Sequence, residues 1–262
     1  MALSRTELKN LKSLLTKEER RQSGLFLAEG VRLLEESLRW GFLPRQVFYA
    51  GATMSPRAED LVRGFQSRSV RTMELSNKHL AALAETRTPQ GIIGLFAMPD
   101  TRLRQLYRST DRMVVLCENL ADPGNLGTLV RSALAFGFEL TVLCGRSAEP
   151  YSPKVVRASA GAIFGIRIAV ATLEEALQLA ETRRLLLVAS DPGAAKQATL
   201  PGKLVQERGV MLAIGSEADG LSDAVKKRAE YHMRIGHRDT VESLNAAVAG
   251  SIAMKQMYDL LS

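Results

Sequence analysis

Three short stretches of the chain set polar residues against apolar surroundings. The first, "ENLADPGNLGTLVR", leaves a strand-like run and opens a helix through Pro123 and Gly124. It presents Asn125 and then Arg131 on a helix that is otherwise small and apolar. The second, "LAIGSEADGLSDAV", carries Gly215 and Glu217, and the third, "ESLNAAVAGSIAMKQMY", sets Ser243 and Asn245 at the start of a helix rich in small residues. In an open parallel sheet, ligands bind at the carboxyl ends of the strands. The chemistry open to these stretches is therefore ligand binding of the kind nucleotide-handling α/β domains perform, with Gly215 allowing close backbone approach. Local roles compete with it. Asn125 and Ser243 suit helix N-caps, and Glu217 suits the positive end of the following helix. Arg131 could be a solvated or ion-paired surface residue, although a charge on so apolar a helix calls for a reason. Asn245, just inside the last helix, is a poor helix former.

Several familiar chemistries do not fit. No serine stands in a nucleophile-elbow context with histidine and aspartate partners. His79, His232 and His237 lack ligand spacing, so no metal is expected. The turn before Arg131 has neither G-x-G-x-x-G nor a Walker lysine, and the next strand ends "TVLCGRS" without the acidic residue a dinucleotide requires. The same absence argues against the common Rossmann-type methyltransferases. Cys117 and Cys144 lie in apolar runs with no C-x-x-C spacing and read as buried, reduced thiols.

The elements that must position these residues follow from the apolar periodicity. After about residue 108, strands such as "MVVLC", "GIRIAV", "RLLLVAS", "GVMLAIG" and "YHMRIG" alternate with helices, which argues a parallel sheet covered on both faces. "SPKVVRASAGAIF" reads as one of those helices, and a last helix starts near Ser243. Upstream, an amphipathic helix over 5–22 begins an alternating αβαβαβαβ series that closes near Met98, a compact three-layer α/β module. "PDTRLRQLYRSTDR" breaks the pattern. The boundary is placed near residue 107, giving a domain and linker over 1–107 and a second domain over 108–262. Charge divides the same way. Residues 1–110 hold 18 Lys and Arg against 11 Asp and Glu, whereas 111–262 hold 17 of each. A locally basic module beside a neutral one suggests a unit that docks a polyanion. The N-terminus lacks the apolar core of a signal peptide and no run has membrane-spanning length, so a cytoplasmic protein is expected.

Taken together, "DPGNLGTLVRSA", "IGSEADGLS" and "ESLNAAVA" resemble, in order and spacing, the three motifs of the SpoU (TrmH-like) family of RNA ribose 2′-O-methyltransferases, part of the SPOUT superfamily. "LFLAEGVRLLEESL" and "TRTPQGIIGL" resemble that family's substrate-binding domain, a small fold shared with ribosomal proteins. The resemblance implies a C-terminal α/β SPOUT domain with a deep trefoil knot, preceded by the RNA-binding domain. It implies S-adenosyl-L-methionine as cofactor, held largely by backbone at Gly215, Ile235 and Leu244, with Ser190 a further candidate. It implies a homodimer acting on RNA, with ribosomal RNA favoured over tRNA because of the separate N-terminal domain.

Catalytic positions carried over are Asn125, Arg131, Glu217, Ser243 and Asn245. The family's arginine is often assigned as the base, yet a free guanidinium has a pKa above about 12. Its planar fork better suits gripping the phosphate beside the target ribose. A proton relay helped by Ser243 of a partner chain stays open, Asn125 and Asn245 would fix geometry, and Glu217 would hold Arg131 or a neighbouring loop. The chain departs from the family pattern at Ile235-Gly236-His237-Arg238-Asp239, where Ile-Pro-Met and a later glycine are usual. That departure bears on the cofactor loop and on substrate identity. It also keeps open a non-catalytic RNA-binding or assembly protein with a degenerate site.

Overall fold

The computed structural model describes residues 3–86, 90–194, 200–238, 240 and 243–261. Contacts divide the chain into two compact units, Met1–Pro99 with Glu149–Gly165, and Asp100–Ala148 with Ile166–Ser262.

The first unit runs α1 (Arg5–Ser13), α2 (Lys17–Ser23), β1 (Leu25–Glu29), α3 (Val31–Arg39), β2 (Gln46–Tyr49), α4 (Pro56–Gln66), β3 (Arg71–Glu74), α5 (Asn77–Leu83) and β4 (Ile92–Ala97). The expected helix over 5–22 is two helices. Leu14 caps the first, and Thr16 starts the second in extended conformation. The break exposes the Leu14 carbonyl, which accepts a hydrogen bond from the buried Arg20 guanidinium at 2.7 Å. Sequence signals fix the other helices closely. Ser55 caps α4 with Pro56 in its first turn, and Ser76 caps α5. The strands order β1-β4-β2-β3, with β4 antiparallel to both neighbours and β2 parallel to β3. Alternation along the strands sends Leu27, Phe48 and Ile93 to a core shared with Leu80, Leu83 and the apolar side of α1. Phe26 and Phe96 stack at 5.3 Å on the other face.

The second unit begins with α6 (Leu103–Leu106), inside the stretch read as linker, and continues with β5 (Met113–Glu118), α7 (Pro123–Ala135) and β6 (Leu140–Cys144). The chain then leaves it. Helix α8 (Pro153–Ala158) and the 3-10 turn Ala162–Phe164 belong to the first unit, whereas the sequence reading kept this segment with the second series. Tyr151 packs on Phe26 at 5.0 Å, Phe164 on Phe96 at 5.0 Å, and Glu149 forks onto Arg20 at 2.9 and 2.6 Å. The rest is β7 (Arg167–Val170), α9 (Leu173–Arg183), β8 (Leu186–Ser190), α10 (Gly202–Arg208), β9 (Val210–Ile214), α11 (Asp223–Arg228), β10 (Tyr231–Met233) and α12 (Ala246–Leu261). All six strands are parallel, in the order β10-β8-β9-β5-β6-β7. The near-complete burial of β5, β6, β8 and β9 explains why they read as continuous apolar runs. Helix α12 lies against α7 and β9, and Gly250 makes the approach close. A Cβ there would stand 2.6 Å from Leu129 and 2.7 Å from Ile214.

Candidate functional site

The three polar stretches meet at the carboxyl end of this parallel sheet. Asp122, not Asn125, caps α7, its Oδ1 accepting the Asn125 amide at 2.8 Å, with Pro123 in the first turn. Asn125 is thereby freed for a long-range bond, and its Nδ2 donates to Glu217 Oε1 at 2.9 Å. At the third stretch the roles expected of Ser243 and Asn245 are exchanged. Asn245 Oδ1 accepts the amides of Ala247 at 3.0 Å and Val248 at 3.2 Å, so Asn245 is the N-cap of α12. Its Nδ2 donates to Asn125 Oδ1 at 3.1 Å and, in a short bond, to Glu217 Oε1. The Ala246 amide reaches the same carboxylate oxygen at 3.3 Å. One oxygen of Glu217 thus takes three donors from two helix starts. Glu217 does not cap the helix after it, since Ser222 caps α11. Nor does it hold Arg131.

Arg131 is exposed on α7 and forms no hydrogen bond or ion pair with another described residue. The buried side of that helix is Leu126, Leu129, Val130 and Ala133, so the arginine stands on its outer surface and costs nothing in desolvation. Ser132 beside it bonds Ser251 of α12 at 2.7 Å.

A cavity of about 330 Å³ adjoins this cluster. Ser190, Gly215, Ile235 and Leu244 all line it, together with Glu217 and Ser243. Ser190 ends β8, Gly215 follows β9, and Ile235 follows β10. Gly215 is compelled by its own chain. A Cβ would sit 2.2 Å from the Gly220 carbonyl carbon and 2.4 Å from the Leu221 nitrogen, so the loop folds back on its root. Ser216 ties that loop, accepting the Asp219 amide at 3.0 Å and pairing with Gly220. In the unusual segment after Ile235, His237 lines the cavity and its Nδ1 lies 3.1 Å from the Arg238 carbonyl. Asp239 lies outside the described residues.

Two carboxylates that the sequence reading passed over belong to the same region. Glu118, buried at the end of β5, accepts the Ser222 amide at 2.9 Å and so anchors the far end of the Gly215 loop. Its signal was a lone acid closing an apolar strand. Asp191, on the cavity wall, accepts the Gly193 amide at 3.0 Å, lies 3.3 Å from His232 Nδ1 and 4.0 Å from Lys226 Nζ. Cys117 and Cys144 are buried in β5 and β6. Burial pushes both thiols up to about 12, the neighbouring Glu118 charge adding at Cys144. Among the described residues no three His, Cys, Asp or Glu side chains group to hold a metal ion.

Comparison with known proteins places this geometry. Residues 112–255 match the SpoU rRNA Methylase family, and residues 5–94 match the MRM3-like substrate binding domain. Over 248 residues the chain is 31% identical to the 23S rRNA (guanosine(2553)-2′-O)-methyltransferase RlmP of Bacillus subtilis, covering 94% of this chain and 93% of that one. It is 29% identical over 247 residues to the 23S rRNA (uridine(2479)-2′-O)-methyltransferase of Streptomyces viridochromogenes, covering 90% and 83%. The SpoU methyltransferase AviRb from the same organism, solved in complex with the cofactor AdoMet, superposes with a TM-score of 0.84 at 27% identity over 98% of each chain.

Proposed function

Because the chain belongs to the SpoU rRNA Methylase family, we propose that it transfers the methyl group of S-adenosyl-L-methionine to a ribose 2′-hydroxyl of 23S ribosomal RNA. The observation that carries this reading is the joining of Asn125, Glu217 and Asn245 by hydrogen bonds beside the cavity that Ser190, Gly215, Ile235 and Leu244 line.

The cavity's residues fit such a cofactor. Its walls combine apolar Ile214, Leu221, Ile235 and Leu244, suited to a purine face, with the backbone of Gly193, Gly215 and Gly220, where no side chain intervenes. Asp191 and Glu217 give the cavity a carboxylate character that favours a ligand bearing sulfonium and ammonium charge, and Lys226 offers a partner for its carboxylate. When bound there, S-adenosyl-L-methionine supplies the activated methyl group. The protein's own task is alignment. Asn125 and Asn245 hold Glu217, and through it the Gly215 loop, in one position. Arg131, unengaged by the described residues, binds the phosphate next to the target ribose and sets the hydroxyl's approach. Ser243 lines the cavity and has no bond to another described residue, so its hydroxyl can join a proton relay.

The same reading carries a trefoil knot in the C-terminal part, supported by family membership. It also carries a homodimer, supported by Val248, Ile252 and Tyr258, which stand out from α12 although its small residues face inward. With 23S ribosomal RNA as substrate the site of action is the cytoplasm. The test is to map 2′-O-methylated nucleotides in ribosomal and transfer RNA from cells with and without the gene. One 23S position losing its methyl group supports the proposal, and an unchanged ribosomal map with a lost tRNA mark rejects it.

A further inference from the structure

Among the described residues three charged side chains are buried, and two of them are ion-paired. Arg20 forks onto Glu149, and Asp111 receives both arms of the Arg167 guanidinium at 2.7 and 2.6 Å. Glu118 is the third. It is 4% exposed, and it forms no ion pair with a described residue. Its Oε2 accepts the Ser222 amide at 2.9 Å, and the carboxylate has no other hydrogen bond to a described residue. Holding a buried carboxylate on one amide is unfavourable. A leucine at this position would only extend the apolar run of β5.

The bond matters for what Ser222 carries. Ser222 closes the loop that begins at Gly215, and the residues before it, Gly220 and Leu221, line the cavity. It also caps α11, its Oγ accepting the Val225 amide at 3.4 Å, and α11 brings Lys226 to the cavity wall. The backbone of Gly220 and Leu221 lies directly on Gly215, so a shift at Ser222 is felt at the root of the loop. The other side of the loop is tied where Asn125 donates to Glu217. One segment of chain, the end of β5 and the start of α7, therefore grips the loop twice. It is an acceptor at Ser222 and a donor at Glu217. The two grips have different charges: Glu217 belongs to the cluster with Asn125 and Asn245, whereas Gly220, Leu221 and Lys226 depend on Ser222.

We propose that Glu118 is a positioning residue for the methyl donor. Through the Ser222 amide it fixes Gly220, Leu221 and the start of α11, and so sets cofactor affinity without touching the cofactor. The inference rests on the reading above that S-adenosyl-L-methionine binds in this cavity. A wall already ordered before the ligand arrives spares the ordering that binding would otherwise require, which raises affinity. The transfer step is separate, because Glu217 stays held by Asn125 and Asn245 whatever stands at position 118.

The experiment uses the full-length protein, with calorimetry of S-adenosyl-L-methionine binding and steady-state transfer to 23S ribosomal RNA. Glu118→Asp keeps the charge but withdraws it by one methylene from the Ser222 amide. Glu118→Gln gives up the charge and keeps an accepting oxygen within reach. Loss of a hydrogen bond to a charged acceptor should raise the cofactor dissociation constant and the cofactor KM of Glu118→Asp about 10-fold. Its kcat at saturating cofactor and its KM for RNA should stay close to wild type, and Glu118→Gln should bind cofactor nearly as the wild-type protein does. Unchanged cofactor affinity in Glu118→Asp overturns the proposal. So does a matching fall in kcat and in RNA affinity, which marks a general loosening of the unit. Glu118→Gln remains decisive even if the shorter side chain fails to fold. Weakened cofactor binding in it would mean that the charge acts on the ligand itself, and would overturn positioning through Ser222. Failure of the wild-type protein to bind S-adenosyl-L-methionine is a separate outcome, and rejects the reading of the cavity.

Discussion

Asn125 and Asn245 stand 120 residues apart in the chain, yet Asn245 Nδ2 donates to Asn125 Oδ1 at 3.1 Å while both side-chain amides bond one oxygen of Glu217. Two helix starts and one loop are thereby held as a single unit at the edge of the cavity. Glu217 and Asn245 are solvent-exposed and Asn125 is half-buried, so the cluster adds only modestly to stability and mainly fixes position.

Glu217 is the acceptor common to that cluster, and its replacement separates positioning from folding. Glu217→Ala removes the shared acceptor of three donors, and should lower stability by about 1 kcal/mol while cutting methyl transfer at least 100-fold. Glu217→Gln keeps an accepting oxygen and should retain most of the melting temperature. Thermal melts paired with transfer assays check both, and an active alanine variant would remove Glu217 from the site.

Gly215 and Gly236 give a matched pair of substitutions near the cavity. A Cβ at 215 would collide with backbone at Gly220, which no rotamer change can relieve, whereas a Cβ at 236 meets nothing within 4 Å. Gly215→Ala should therefore abolish S-adenosyl-L-methionine binding by calorimetry, and Gly236→Ala should leave the affinity within about twofold. Equal effects at the two positions would show that the loop's fold is not what holds the cofactor.

Arg131 should matter to the transfer step and not to cofactor affinity, because it lies on the outer surface of α7 and is absent from the cavity wall. Arg131→Ala should lose transfer by on the order of 100-fold or more, with the cofactor dissociation constant unchanged. Arg131→Lys keeps a charge but loses the planar fork, and an intermediate rate is expected. Weakened cofactor binding in these variants would contradict the phosphate-gripping role.

The two buried thiols make stability sensitive to alkali. Their folded values lie near 12, above those of the unfolded chain, so the unfolded state releases protons first as pH rises. Their contribution is fully present below about pH 8.5 and is lost as pH climbs toward the folded value. Thiol reagents at neutral pH should leave Cys117 and Cys144 unmodified until the protein unfolds. Cys117→Ser with Cys144→Ser should flatten the alkaline part of the stability curve.

Much of the second unit was legible because its buried parallel strands are continuous apolar runs and its helices carry strong caps. The identity of the caps at the site was less so. Asp122 and Asn125 are both good capping residues, as are Ser243 and Asn245, and local sequence does not say which of each pair takes the cap. The departure of residues 149–165 to the first unit could not be read from periodicity either. The apolar side of α8, Val155 and Val156, looks the same whichever core it enters. Insertion of β9 between β5 and β8 was equally silent, since strand order is set by crossover geometry and not by local pattern.

Methylation of a 23S ribosomal RNA ribose at the site beside Asn125, Glu217 and Asn245 can be tested directly. The purified protein should be given methyl-labelled S-adenosyl-L-methionine with 23S ribosomal RNA, 16S ribosomal RNA or tRNA, and the products digested to nucleosides and identified by mass. A single 2′-O-methylated nucleoside from 23S RNA, absent with Arg131→Ala, is the expected result. Label on a base, label confined to tRNA, or no transfer to any of the three RNAs would contradict it.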